Sequence, residues 1–333
     1  MEPVVRVAAL TSYLEVAHEL KLNPHALLSE ASIDPGWLSS LDRPMPARSL
    51  QWLLEESAKR SGHLNFGLRM AELRHSSSLG IVGMLLTHQG TLRDALRTAM
   101  QYRQLLNETL AIDIEDDGHT VLIREDVLPV LGSYSRQTNE LALGVLVINT
   151  CRPLLGKRWH PMRAYFAHAQ PPDLSVHRRV FECPLHFDSE YNGITCSSRD
   201  FDGPNPLADP TMVRQLEHGM RSLGHLAPDS VVIAVQREVL LLLPVGQATI
   251  EKVAGRLRTS VRTLQRQLEV EGQVFAKLLD DVQRELVVRY LENRRYSIKH
   301  VATLVGYTDQ SAFGRWFKKS FACSPSEWRR EAG

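Results

Sequence analysis

From position 249 onward the chain carries one helix-pair pattern twice. Thr249-Ile250, Val253-Ala254 and Leu257 return as Ser297-Ile298, Val301-Ala302 and Val305, 48 positions later. The segments that follow align at an offset of 49: Leu264 with Phe313, Arg266 with Arg315, Leu268 with Phe317. In each copy a short helix with a small residue (Ala254, Ala302) is followed by a tight turn and a second helix with one apolar face. Such a duplication commits this end of the chain to an all-α domain built from two similar packed pairs.

The outer faces of the second helices carry the chemistry. In the first copy Ser260 is placed to cap, Leu264 and Leu268 lock inward, and Arg262, Thr263, Gln265 and Arg266 face out. In the second copy Gly306 supplies the turn, Thr308 or Asp309 the cap, and Phe313 and Phe317 the anchors. Gln310, Ser311, Gly314 and Arg315 then face out, with Lys318 and Lys319 placed to meet phosphate. Arginine donates bidentately to guanine and glutamine bridges adenine, so these faces suit major-groove base edges. Between the pairs, Phe275, Leu278, Leu279, Val282, Leu286 and Tyr290 keep helical spacing and predict one long connecting helix. Ser324-Pro325-Ser326-Glu327 predicts the start of a final helix, with Ser as cap and Glu reaching back to it.

The rest of the chain reads as α+β with a small antiparallel sheet. Val4 to Leu20 is apolar at helical spacing, Asn23-Pro24 and Asp34-Pro35 open short helical segments, and Arg48 to Lys59 predicts another helix. Thr91-Leu92-Arg93-Asp94 predicts a capped helix running to about Asn107. The period then changes to two: Leu110 to Ile114 and Thr120 to Ile123 flank Asp116-Asp117-Gly118, a hairpin signal. Gln137 to Thr150 returns to helix, Arg163 to His168 is strand-like, and Val176 to Glu182 is helical. Short strands around His186-Phe187 and Ile194-Thr195-Cys196 read as joined through Asn192-Gly193. Asp209-Pro210 opens a helix to about Leu223, and Pro228-Asp229 opens another ending near Leu243.

Charge separates the two parts. Residues 248–333 hold 16 Lys/Arg against 10 Asp/Glu, a net of +6, while the remaining 247 residues hold 23 against 28, a net of −5. A basic end on an acidic body suits a polyanionic partner. Four cysteines without a CxxC pair, and no basic start followed by an apolar run, point to free thiols in a reducing cytosol. The longest apolar stretch, Val231 to Leu243, is interrupted by Gln236-Arg237-Glu238 and is shorter than the ~20 residues a membrane span needs.

Several stretches together resemble the DNA-binding domain of the AraC/XylS family of bacterial transcription regulators. They are Arg262-Thr263-Leu264-Gln265-Arg266-Gln267-Leu268, then Ile298, Val301-Ala302 and Val305-Gly306-Tyr307, then Gln310-Ser311-Ala312-Phe313, Arg315-Trp316-Phe317-Lys318 and Ser324-Pro325-Ser326-Glu327-Trp328. The chain departs from the family at Gly314, where a polar residue is more usual, and at Arg258-Thr259, where many members have a glycine-containing turn. Further forward, Asn65-Phe66-Gly67-Leu68-Arg69, Thr91 to Leu96, Leu105-Leu106-Asn107-Glu108 and Ala208-Asp209-Pro210 resemble the N-terminal domain of one branch. That branch includes ornithine-utilisation regulators, and its N-terminal domain is described as arabinose-binding-like. The resemblance implies ligand sensing or dimerisation, without identifying a sugar.

These readings give an effector-sensing or dimerisation domain over 1–227 and a DNA-binding domain over 228–333, with helix-turn-helix units at about 249–269 and 297–320. The expected partners are double-stranded DNA, RNA polymerase, a small-molecule effector and a second copy of the chain, with no membrane. Tyr102, Arg103 and Asn107, with Tyr165 on a strand, are candidates to line an effector pocket between helix and sheet. Cys183-Pro184-Leu185-His186 with His168, His177 and Cys196 has the residue types of a soft-metal site but lacks a second closely spaced ligand pair, so no metal is assigned. No nucleophile elbow, P-loop, zinc-protease or dinucleotide motif is present, so no catalytic residues and no cofactor are assigned. A ligand-independent regulator whose N-terminal domain only dimerises or meets a partner protein stands as the alternative, and an enzyme fused to a DNA-binding module as the more distant rival.

Overall fold

A computed structural model describes residues 2–130, 135–222 and 230–331 of the protein. The opening segment departs from the expected helix over Val4 to Leu20. Val4–Arg6 forms strand β1, paired antiparallel with β2 (Pro44–Pro46), and only Tyr13–Glu19 (α1) is α-helical. The β-branched Val4-Val5 pair and the two prolines suit a short edge pairing better than a helix.

Helices α2 (Pro24–Glu30), α3 (Ala47–Ser61), α4 (Phe66–Leu73), α5 (Gly80–Thr87) and α6 (Leu92–Gln101) follow. Asn23 caps α2 by accepting from the Ala26 N–H at 3.2 Å, and Thr91 caps α6 by accepting from Asp94 at 3.1 Å. Helix α6 stops before the expected Asn107, because Asn107 is drawn into a bridge with Val5 and the intervening residues tighten into a 3-10 turn.

Strands β3 (Leu110–Asp116) and β4 (Thr120–Val127) form the expected hairpin, with Ile114 opposite Ile123. Helix α7 (Arg136–Val145) widens into a π turn at Leu146–Cys151 and continues as α8 (Arg152–Leu155). Pro153 has no N–H to donate back into the helix, and the widened turn lies immediately before it. Next come β5 (Arg163–Tyr165), α9 (Ser175–Phe181), β6 (Leu185–His186), β7 (Gly193–Ser197), α10 (Ser198–Asp202) and α11 (Pro210–Ser222).

The larger sheet has five strands in the order β3-β4-β7-β5-β6 and is not wholly antiparallel, since β5 and β6 run parallel. Helix α9 supplies the crossover that a parallel pair requires. Asn192-Gly193 therefore does not join β6 to β7 as a hairpin. Gly193 opens β7 where a Cβ would sit 2.5 Å from the Ile123 carbonyl oxygen, so close strand approach explains the glycine.

The C-terminal part consists of α12 (Val231–Leu242), α13 (Ile250–Arg256), α14 (Val261–Val270), α15 (Phe275–Glu292), α16 (Ile298–Leu304), α17 (Gln310–Phe321) and α18 (Pro325–Glu331). The expected helix start at Pro228-Asp229 lies outside the described residues. Among the described residues no helix is long and apolar enough to cross a membrane.

The five-stranded sheet is covered on both faces. Along β4, Val121 and Ile123 enter a core with Leu92, Leu96, Leu143, Val147 and Phe166. Strand alternation turns Arg124 and Asp126 to the other face, where α12 and α15 pack. There Ala111 and Leu128 join the C-terminal core, and Arg289 pairs with Asp126 at 2.7 Å. Tyr296 donates to the Asp188 carbonyl at 2.8 Å, and Arg256 bonds Asp113 at 2.8 Å. Burial alone would raise the Asp113 carboxyl, but Arg256 and Arg124 hold it below the usual carboxylate range.

Candidate nucleic-acid interface and effector domain

The repeat read from the sequence is repeated in backbone hydrogen bonds. After α13, the Thr259 N–H bonds the Ala254 carbonyl at 2.9 Å; after α16, Tyr307 bonds Ala302 at 2.8 Å. Arg258 bonds Gly255 at 3.1 Å, and its counterpart Gly306 bonds Thr303 at 2.9 Å. One residue later the offset becomes 49 in the caps. Ser260 accepts from the Thr263 N–H at 3.1 Å, and Asp309 accepts from Ser311 at 3.1 Å and Ala312 at 2.8 Å. Of the two expected caps in the second copy, Asp309 is the one used.

Leu264 and Leu268 on α14, and Phe313 and Phe317 on α17, are buried in the C-terminal core. Arg262, Gln265 and Arg266 are exposed on α14, with Thr263 half-buried against the Ser260 hydroxyl at 2.9 Å. Gln310, Ser311, Arg315, Lys318 and Lys319 are exposed on α17. A Cβ at Gly314 would meet nothing within 4 Å, so that surface position is open. Helix α15 has 18 residues, roughly 27 Å at 1.5 Å per residue, and separates the two pairs. Leu278, Val282, Leu286 and Tyr290 are its buried stripe, and Gln283 fastens the second turn by donating to the Val305 carbonyl at 2.8 Å. The last helix has the reciprocal cap: Glu327 N–H to Ser324 Oγ at 3.2 Å and Ser324 N–H to the Glu327 carboxylate at 2.7 Å.

Of the four candidate effector residues, Tyr102, Arg103 and Asn107 fall on one continuous turn, where the Asn107 N–H bonds the Arg103 carbonyl at 2.7 Å, while Tyr165 lies on β5. Asn107 lines a half-open cavity of about 110 Å³ between the sheet and its helices, and its side-chain oxygen accepts from Thr109. Tyr102 is buried with Leu86, Ala95 and Ala99, while Arg103 lies in the 3-10 turn that follows. Tyr165 stacks on His186 at 5.1 Å between ring centroids, in a separate aromatic group with Tyr191. Besides Arg6, two buried charged residues that sequence reading missed, Arg74 and Glu125, line the cavity with Asn107. A signal existed for each. Glu125 continues the inward alternation of Val121 and Ile123, and Arg74 lies one turn beyond Met70 at the end of an apolar helix.

The histidines near Cys183 also find a different partner. His168 and His177 converge on the buried Glu140, their Nε2 atoms 3.0 and 3.2 Å from one carboxylate oxygen. Arg136 reaches the same oxygen at 3.0 Å, so a fixed cation already balances this carboxylate. Burial would raise the Glu140 carboxyl, but these donors hold it far below the usual range; burial keeps His168 below its own usual value.

A basic, duplicated helix pair on an α+β body defines a DNA-binding transcription regulator. The chain belongs to the AraC family. The family described as "Arabinose-binding domain of AraC transcription regulator, N-term" matches residues 22–205, and a helix-turn-helix domain family matches 253–331. The chain is 27% identical over 330 residues to the ornithine utilization regulator of Pseudomonas aeruginosa, covering 98% of this chain and 96% of that protein. It is also 27% identical over 343 residues to the transcriptional regulator VirS of Mycobacterium tuberculosis, covering 99% and 97%. A crystal structure of the regulator CdpR from Pseudomonas aeruginosa aligns with a TM-score of 0.42 and 20% identity over 92% of this chain and 96% of that one. The relatives named are regulators, not enzymes, and the N-terminal domain is of a ligand-binding type.

Proposed function

We propose that both helix pairs act as helix-turn-helix units, with α14 and α17 entering successive major-groove segments on one face of DNA. The observation that carries this is the matched backbone of the two pairs, each presenting an exposed polar helix at the end of one connecting helix. Arg262, Thr263, Gln265 and Arg266, with Gln310, Ser311 and Arg315, are the base readers, while Lys318 and Lys319 hold phosphate. The DNA-binding domain begins near residue 228.

We further propose that a small molecule in the N-terminal domain biases DNA affinity. Support comes from β4, whose alternate residues belong to two different surroundings. Glu125 faces the cavity, while Arg124 and Asp126 face the C-terminal helices. A shift of β4 caused by an occupant therefore changes the contacts that hold α15.

Selection of genomic fragments bound by the full chain tests the first proposal. A common motif with two unequal half-contacts about one helical turn apart is expected. Binding that ignores sequence would remove the base-reading assignment.

A further inference from the structure

The cavity beside β4 is lined by two buried charged-type side chains, Arg74 and Glu125, that no ion pair among the described residues neutralises. Arg74 lines the cavity and donates from Nε to the Ser78 hydroxyl at 2.6 Å and from Nη2 to the Ala8 carbonyl at 2.9 Å. No carboxylate among the described residues pairs with it, and the charge that acts on it is another cation, Arg6. Burial lowers its pKa to about 10. A buried cation without a counter-ion is costly, and proteins of this size seldom keep one without an anion to meet it.

Glu125 stands in the same wall. It is buried, and its Oε2 has no hydrogen-bond partner. Burial, with a contribution from Asp126, raises its pKa to about 8, so at neutral pH it is an uncharged acid with a proton to donate. Arg6 also lines the cavity but is paired with Asp42, so Arg74 is the cation of this wall without a carboxylate partner among the described residues. Thr138 and Thr150 add hydroxyls, while Leu96 and Leu146 supply apolar wall. Leu146 and Thr150 come from the π turn, a helix irregularity often found at functional sites.

We propose that this cavity is the effector site and that it takes a small monocarboxylic acid with an aliphatic body, its carboxylate paired to Arg74. The proposal rests on the reading of the N-terminal domain as effector-gated. Size limits the occupant: about 110 Å³ is somewhat less than the ~150 Å³ cavity that holds benzene. Butyrate and valerate are of that order. Val5 and Arg6 line both this cavity and a larger neighbouring pocket of about 530 Å³, and so lie between the two.

The test is calorimetry and thermal shift on the full chain with sodium valerate, against valeramide and pentylamine of similar shape. Valerate is expected to raise the melting temperature with concentration and to bind at least tenfold more tightly than valeramide at pH 6.5. Glu125→Gln is expected to keep that binding. In the wild type, affinity falls about fivefold between pH 8 and 9, as Glu125 ionises and repels the ligand. The charged groups around it are Arg74 and Arg6 across the cavity and Asp126 on the strand, with the Cys151 thiol, which burial keeps protonated, on the π turn. Glu125→Gln therefore flattens that fall. Arg74→Met abolishes valerate binding; should it fail to fold, the valerate–valeramide ratio in the wild type decides. Equal binding of acid and amide, or no response to straight-chain acids from butyrate to hexanoate, overturns the proposal. Valerate binding with unchanged affinity for the selected DNA fragments would support the pocket and remove the gating. A metabolite extract that changes DNA affinity while these acids do not bind would keep the gating and overturn the pocket.

Discussion

The two helix pairs share a backbone and differ in what holds it. The first is anchored by Leu264 and Leu268, the second by Phe313 and Phe317, with Phe317 stacked on Phe321 at 4.4 Å. Trp316 ties the second pair to α15 by donating to Asp280 at 2.6 Å. The first pair is instead wired to the N-terminal domain through Arg256 and the largely buried Asp113. The corresponding contact of the second, His300 with Glu190 at 3.1 Å, is well exposed and therefore weak. The outer faces differ too, since Gln265 has Gly314 as its counterpart. Duplication keeps the turn and the caps while each copy specialises. The aromatic copy is held by its own rings and by α15, and the leucine copy by Arg256 at the N-terminal domain.

Removing the anchors should separate the copies most strongly. Phe313→Ala is expected to cost roughly 3–5 kcal/mol, with Leu264→Ala in the lower part of the roughly 2–5 kcal/mol range for such truncations. Denaturant unfolding of the full chain measures both, and an equal loss would break the contrast between aromatic and aliphatic anchoring. Arginine removal comes next. Arg266→Ala is expected to weaken specific binding by roughly 1–3 kcal/mol and to relax one base position, with a smaller loss for Arg315→Ala. Titrations on selected and scrambled fragments check this. A uniform loss on both fragments would make Arg266 a phosphate contact, and a larger loss for Arg315→Ala would reverse the division of labour.

The C-terminal domain was legible because its rules are local. A period of 3.6, a capping residue and a turn position suffice to locate α13 to α18, and the 48-to-49 offset is realised in the Ser260 and Asp309 caps. The N-terminal domain was less legible because its decisive facts are pairings. Val4–Arg6 is a strand only because Pro44–Pro46 lies beside it, and β5 comes between β6 and β7 only in three dimensions. The cavity was missed for the same reason. Arg74 and Glu125 are 51 positions apart, and neither spacing nor charge pattern announces that one void lies against both. Polar residues at inward positions of otherwise apolar elements were the available clue.

The smallest expected effect tests the turns themselves. Arg258 has a φ of 54°, in the left-handed region, and its counterpart Gly306 has a φ of 85°. The same turn is therefore made once with a glycine and once without. An L-residue in this region costs about 1–2 kcal/mol, while glycine loses about 0.5–1 kcal/mol of unfolded-chain freedom on folding. Arg258→Gly should consequently stabilise the protein by about 0.5–1 kcal/mol. Gly306→Ala should destabilise it, because the added Cβ would also lie 3.3 Å from Leu243. Thermal unfolding of the two variants reads the signs directly. Were Arg258→Gly to destabilise, the arginine would be contributing to the first pair through more than its backbone, and the two turns would not be equivalent after all. A stabilised variant that also binds selected DNA as before would place the strain in the turn alone and leave base reading to Arg262, Gln265 and Arg266.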